Sequence, residues 1–143
     1  MSDETRTVLS RTQTILADAL ALDSPDDAKA DASLVRDLGA ESIDLLDIAF
    51  RIEKEFGIAA PRRELFPEDV FNRNEFVVDG LLTAAGLAKM QEVMPHLDLG
   101  HGHFSEFVKL PRLLDMGTYL TVGDLVQYVE HKLSDDPPGE NER

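Results

Sequence analysis

The stretch DLGAESIDLLDIAFRIEKEFGI, residues 37 to 58, places one hydroxyl among acids at the mouth of a helix: Ser42, with Glu41 before it and Asp44 and Asp47 after it. Two kinds of chemistry suit that arrangement. As a helix cap, Ser42 accepts a hydrogen bond from a backbone N–H of the first turn, worth about 1 kcal/mol, and Asp44 interacts favourably with the helix dipole. As a point of covalent attachment, Ser42 sits where unpaired N–H groups and the dipole favour a phosphate, so a phosphodiester is tolerated there. A second cluster lies in HLDLGHGH, where His96, Asp98, His101 and His103 are residue types that bind zinc or iron. Their spacing matches no helix-face pair. Histidines in a glycine-rich loop are more often solvated, so no metal site is expected.

The element that must position Ser42 is an amphipathic helix from about Ser42 to Phe56. Leu45, Ile48, Ala49, Ile52 and Phe56 recur at steps of three or four and form one apolar stripe. Gly57 falls where a left-handed C-cap belongs, and Pro61 limits continuation. Upstream, Val8, Leu9, Ile15, Leu16, Ala19 and Leu20 give residues 6 to 22 helical spacing with a gap at Thr12. A polar loop with Pro25 as breaker covers residues 23 to 36, and Ser33-Leu34-Val35 leads into the turn DLGAES.

Downstream, Glu75 to Val78, an Asp79-Gly80 turn and Leu81-Leu82 predict a hairpin. Thr83 is placed to cap a helix reaching Met94, with Leu87, Met90 and Met94 on one face. Residues 96 to 118 show no readable period. Thr121 then caps a last helix, VGDLVQYVEHKL, with Val122, Leu125, Val126 and Val129 on one side. The tail SDDPPGENER reads as disordered, and no internal repeat is visible.

The composition narrows the function classes. The formal net charge of −14 opposes binding to nucleic acid or an anionic membrane, both of which require basic patches. The chain has no cysteine, which removes disulfides, thiolate catalysis and sulfur-ligated metal from its own side chains. The polar start MSDETRTVLS lacks the apolar run of a signal peptide, and no stretch has the length of a membrane span. A cytoplasmic protein is expected.

DLGAESIDLLDIAFRIEKEFGI resembles, without a gap, the signature of acyl carrier proteins. In that family an Asp-Leu-Gly-Ala/Gly-Asp-Ser-Leu turn leads into the second helix, which closes on an acidic run and Phe-Gly-Ile. SLVRDLGAES is similar to the family's loop into that helix, and TVGDLVQYVEHKL looks like its last helix. The resemblance covers residues 5 to 61 and 119 to 133. It implies a mainly α fold: an acyl-carrier-type helical bundle from residues 1–61 and 119–134. Residues 62–118 then form an inserted small subdomain, a short hairpin plus one or two helices packed on the bundle. Residues 135–143 are expected to form a disordered tail.

In this family the serine carries 4′-phosphopantetheine, and position for position that serine is Ser42. The arm's thiol bears an acyl group as a thioester, so a chain without cysteine can still present a sulfur. The resemblance implies a carrier and no enzyme, with no catalytic residues of its own. Its expected partners are a phosphopantetheinyl transferase and acyl-transferring or fatty-acid-synthesis enzymes, and the chain is expected to be a monomer. It also implies an acyl pocket beside the second helix, with Ala49, Ile52, Phe56 and Ala60 as wall residues. Glu41, Ile43, Asp44, Leu46, Asp47 and Phe50 are the implied docking contacts.

The chain departs from the family pattern in two places. Glu41 replaces the usual aspartate before the serine. Arg51, Lys54, Arg62 and Arg63 stand where relatives tend to carry small or acidic residues, so the docking strip is acidic at one end and basic at the other. That change should alter which enzymes dock. The insertion holds Phe66, Phe71, Phe76, Val77, Val78, Leu81, Leu87, Met90, Met94, Phe104 and Phe107, enough apolar surface to fold. It is expected to reshape the acyl pocket or to present a docking surface. Synthesis or transfer of an unusual fatty acid or lipid is the expected setting. The alternatives are a carrier of aminoacyl or polyketide intermediates and an unmodified interaction module.

Overall fold

The computed structural model describes residues 3–60, 75–97, 104–112 and 116–135. Helix α1 (Asp3–Leu20) buries Val8, Thr12, Ile15, Leu16 and Ala17. The gap in its apolar pattern is thus no gap in space: Thr12 is fully buried on the core face, and its hydroxyl has no hydrogen-bond partner among the described residues. The helix stops short of the expected Leu22 because Ala21 turns left-handed, with φ of 54°.

The loop that follows is built from side-chain caps. Ser24 Oγ accepts from the Asp26 N–H at 3.2 Å and starts a 3-10 turn, Pro25–Asp27. Further on, the buried Ser33 organises the approach to the next helix. Its N–H donates to the Asp37 carboxylate at 2.7 Å, its hydroxyl accepts from the Arg36 N–H at 3.0 Å, and its carbonyl accepts from both Asp37 and Leu38 N–H.

Helix α2 (Ser42–Phe56) has the predicted bounds, and Gly57 ends it with φ of 67° and ψ of 33°, the left-handed C-cap that glycine adopts without a Cβ penalty. The hairpin is also as expected. Strand β1 (Val77–Val78) pairs antiparallel with β2 (Leu81–Leu82), and Asp79 and Gly80 have φ of 54° and 81°, as a type I′ turn requires. Helix α3 (Ala84–Val93) starts at Thr83, whose Oγ1 accepts from the Gly86 N–H at 3.1 Å. Two short helices fill the part with no readable period: α4 (Phe104–Lys109) and α5 (Met116–Tyr119). Helix α6 (Val122–Asp135) closes the fold and runs through Ser134 and Asp135, which the sequence assigns to the tail.

Helix α1 packs along both α2 and α6, while α2 and α6 meet over a short stretch. Leu82, Met90, Met94, Leu97, Phe104 and Phe107 join the same buried cluster as Leu16, Ile48, Ile52 and Val129. One apolar core therefore runs through the long helices and the middle segments. Phe104 and Phe107 pack edge-on to each other with ring centroids 6.3 Å apart, and Tyr119 of α5 lies against both. The loop before α2 is tied to the entrance of α6. The Leu34 N–H donates to the Leu120 carbonyl, the Val122 N–H to Ala32, and the Gly123 N–H to Ala30 at 2.8 Å. Phe66, Phe71, Arg62, Arg63, Asp98, His101, His103 and residues 136–143 lie outside the described residues.

Candidate functional site

The start of α2 corrects one expectation. The N-cap is Glu41, in extended conformation with φ of −106° and ψ of 171°, and Ser42 is the first helical residue. The reason lies just upstream: Ala40 is buried and its N–H is fixed to the Leu34 carbonyl at 2.9 Å, so the chain turns into the helix at the next residue. Asp44 completes the turn by accepting from the Glu41 N–H at 2.9 Å. Ser42 is therefore not the capping residue, and the acids on either side of it shape the turn. An anionic group on residue 42 would lie in the positive end of a fifteen-residue helix, beside first-turn N–H groups that have no intrahelical acceptor. The donor set fits a phosphodiester linkage.

One face of α2 is turned to solvent although it is apolar. Ile43 is 74% exposed, Leu46 55% and Phe50 54%. Charges flank this ridge. Asp44 and Asp47 lie at its N-terminal end; Arg51 donates to Asp47 at 3.1 Å, and the Lys54 ammonium lies 4.9 Å from the centre of the Phe50 ring. Glu41 and Lys54 are exposed, and Asp44, Asp47 and Arg51 are half-buried. The predicted docking contacts on α2 thus share one side of the helix, with the acids and bases segregated along it.

The opposite face is core. Ala49, Ile52, Phe56 and Ala60 are all buried. Glu53 reaches past the helix end to accept from the Ala60 N–H at 2.8 Å, fixing the exit segment. Near α6 a narrow crevice is lined by Leu34, Leu120 and Leu125 together with Met94 and His96 from the middle segment, with Thr121 and Asp124 at its edge. None of the four predicted wall residues lines that crevice. His96 lies edge-on to Tyr128 of α6, ring centroids 5.3 Å apart.

Sequence reasoning named Thr121 as the cap of the last helix but missed three residues that hold the site in place: Ser33, Asp37 and Asp124, the partner of Thr121. The signal was present in the turn-forming types of SLVRDLG and in the Thr-x-x-Asp spacing of TVGD.

A helical bundle whose second long helix begins at a serine, after a hydrogen-bonded Asp-Leu-Gly turn, has the arrangement that the resemblance to prosthetic-group carriers implies. The profile described as phosphopantetheine attachment site matches residues 10–69. The acyl carrier protein of Clostridium acetobutylicum is 35% identical over 57 residues, which is 40% of this chain and 73% of that protein. That of Thermosynechococcus vestitus is 35% identical over 57 residues, covering 40% of this chain and 69% of its own length. That of Bdellovibrio bacteriovorus is 40% identical over 47 residues, 33% of this chain and 59% of that protein. No solved structure matches. The chain belongs to the acyl carrier protein family, with 4′-phosphopantetheine as its covalently attached group, and it is a carrier rather than an enzyme. No helix among the described residues is long and apolar enough to cross a membrane.

Proposed function

We propose that Ser42 is the attachment residue and that this chain carries an acyl group to partner enzymes in the synthesis or transfer of an unusual fatty acid or lipid. The reading rests on one observation: Ser42 begins α2 while the capping position falls to Glu41, braced by Asp44. When attached, 4′-phosphopantetheine supplies the thiol that this chain lacks. The chain's own residues do the rest. The N-terminus of α2 orients the phosphate, the Ser33–Asp37 turn fixes that N-terminus, and Ile43, Leu46 and Phe50 with their flanking charges receive the enzymes, a phosphopantetheinyl transferase among them. Ala49, Ile52, Phe56 and Ala60 form the apolar interior next to which the acyl chain would shelter. Met94 and His96 narrow the crevice by α6, so residues 62–118 act here as an insertion that reshapes cargo space. The cytoplasm, where the proposed partner enzymes would work, is the setting that fits this reading.

Co-expression with a phosphopantetheinyl transferase tests this. Intact mass should rise by one phosphopantetheine in the natural chain and stay unchanged in Ser42→Ala. A mass gain in Ser42→Ala would remove Ser42 from the role.

A further inference from the structure

Beside the exposed ridge of α2 lies a cleft of about 360 Å³ between α1 and α2, whose charged lining is Arg11, Asp18, Arg51, Lys54 and Glu55. Its cations are unequally engaged. Arg11 donates to the Glu55 carboxylate at 2.7 Å and to the Glu55 carbonyl at 2.6 Å, and it lies 4.4 Å over the Phe56 ring, so it is tied to Glu55 and Phe56. Arg51 donates to Asp47 through Nε, leaving its terminal nitrogens without a partner among the described residues. Lys54 has no carboxylate partner among the described residues and rests on the Phe50 ring. Asp18 faces the cleft from the α1 side. On a chain of net charge −14 this is a place where cations offset the acids, next to an uncovered apolar surface.

We propose that the protein docking on α2 places an acidic side chain in this cleft, its carboxylate meeting Lys54 Nζ and the terminal nitrogens of Arg51. Apolar side chains of the same partner cover Ile43, Leu46 and Phe50, and a basic group meets Asp44. The proposal rests on α2 being the docking face, as above, and adds the order of charges the partner must carry. Phe50 links the two halves of the surface, because it belongs to the ridge and also supports Lys54. Charge-assisted hydrogen bonds to a guanidinium and an ammonium are the strong kind. Asp18 keeps the carboxylate on the α2 side. A uniformly basic partner would set like charges against Arg51 and Lys54, and such juxtaposition excludes wrong partners.

The test uses three synthetic helical peptides with one shared leucine ridge: Lys at one end and Glu at the other, Lys at both ends, and Gln throughout. Each is titrated into the full, isotopically labelled, unmodified chain at low salt while backbone amide resonances are followed. The Lys/Glu peptide should shift amides of residues 43–54 and bind about tenfold more tightly than the all-Lys peptide. Arg51→Glu with Lys54→Glu, its helicity checked by circular dichroism, should reverse that order. Equal or tighter binding of the all-Lys peptide by the natural chain overturns the proposal, as does the absence of shifts at those amides with every peptide. Concentration-dependent self-association of the free chain through the same amides overturns it too, since a second copy would then cover the face. The unmodified chain is used, so mass gain at Ser42 is scored separately and either reading can fail alone.

Discussion

Helices α2 and α6 start in parallel ways and are put to different uses. At α6 the Thr121 hydroxyl accepts from the Asp124 N–H at 3.2 Å, and the Asp124 carboxylate accepts from the Thr121 N–H at 2.9 Å. That cap is closed on both sides, Asp124 is buried, and it fixes the crevice beside it. At α2 the third-position aspartate makes the same bond at the same distance, but the cap residue is an exposed glutamate and the serine has moved one place into the helix. Where a hydroxyl serves as the cap, it is consumed by structure. Where an acid takes over the turn, the capping position falls one residue before the serine.

The largest effect should come from breaking the buried cap. Asp124→Ala strands the Thr121 N–H and removes a buried carboxylate with its bonds. It should cost about 1–3 kcal/mol, seen as a fall of about 2–4 °C in Tm per kcal/mol for a chain of this size. A loss no greater than that of Asp44→Ala would erase the contrast between the two starts. Thr12 sharpens the contrast from the other side, as a buried polar group with no partner among the described residues. Thr12→Val keeps the shape and removes the stranded hydroxyl, so denaturant unfolding should show a gain of about 1 kcal/mol. The exposed cap is expected to be cheaper: Asp44→Ala should lower stability by about 0.5 kcal/mol in the same assay. The smallest effect belongs to Ser42→Ala, within about 0.5 kcal/mol of the natural chain, while it abolishes loading. A melting loss as large as that of Asp124→Ala would return Ser42 to a capping role.

Much of this was legible in the residues. The bounds of α2, its glycine stop, the Asp79-Gly80 hairpin and the Thr83 and Thr121 caps all follow from strong local signals that tertiary packing did not overrule. The identity of the α2 cap was not legible. Serine outranks glutamate in capping preference, and only the anchoring of buried Ala40 to Leu34 moves the helix start to give Glu41 that position. Helices α4 and α5 escaped notice because one or two turns are too short to show a period; they are held by Phe104, Phe107 and Tyr119 packing on one another. Thr12 looked like an interruption because sequence patterns sort residues by polarity, whereas burial follows geometry.

The strand-like contact between the loop before α2 and the entrance to α6 joins residues from opposite ends of the chain, Ala30 to Leu34 with Leu120 to Gly123. Such distant pairing forms late in folding, after loop closure over the whole middle segment. On a ribosome, the seat of Ser42 would stay unassembled until the last helix has emerged. The turn before α2 therefore takes its final shape only when α6 has docked against it.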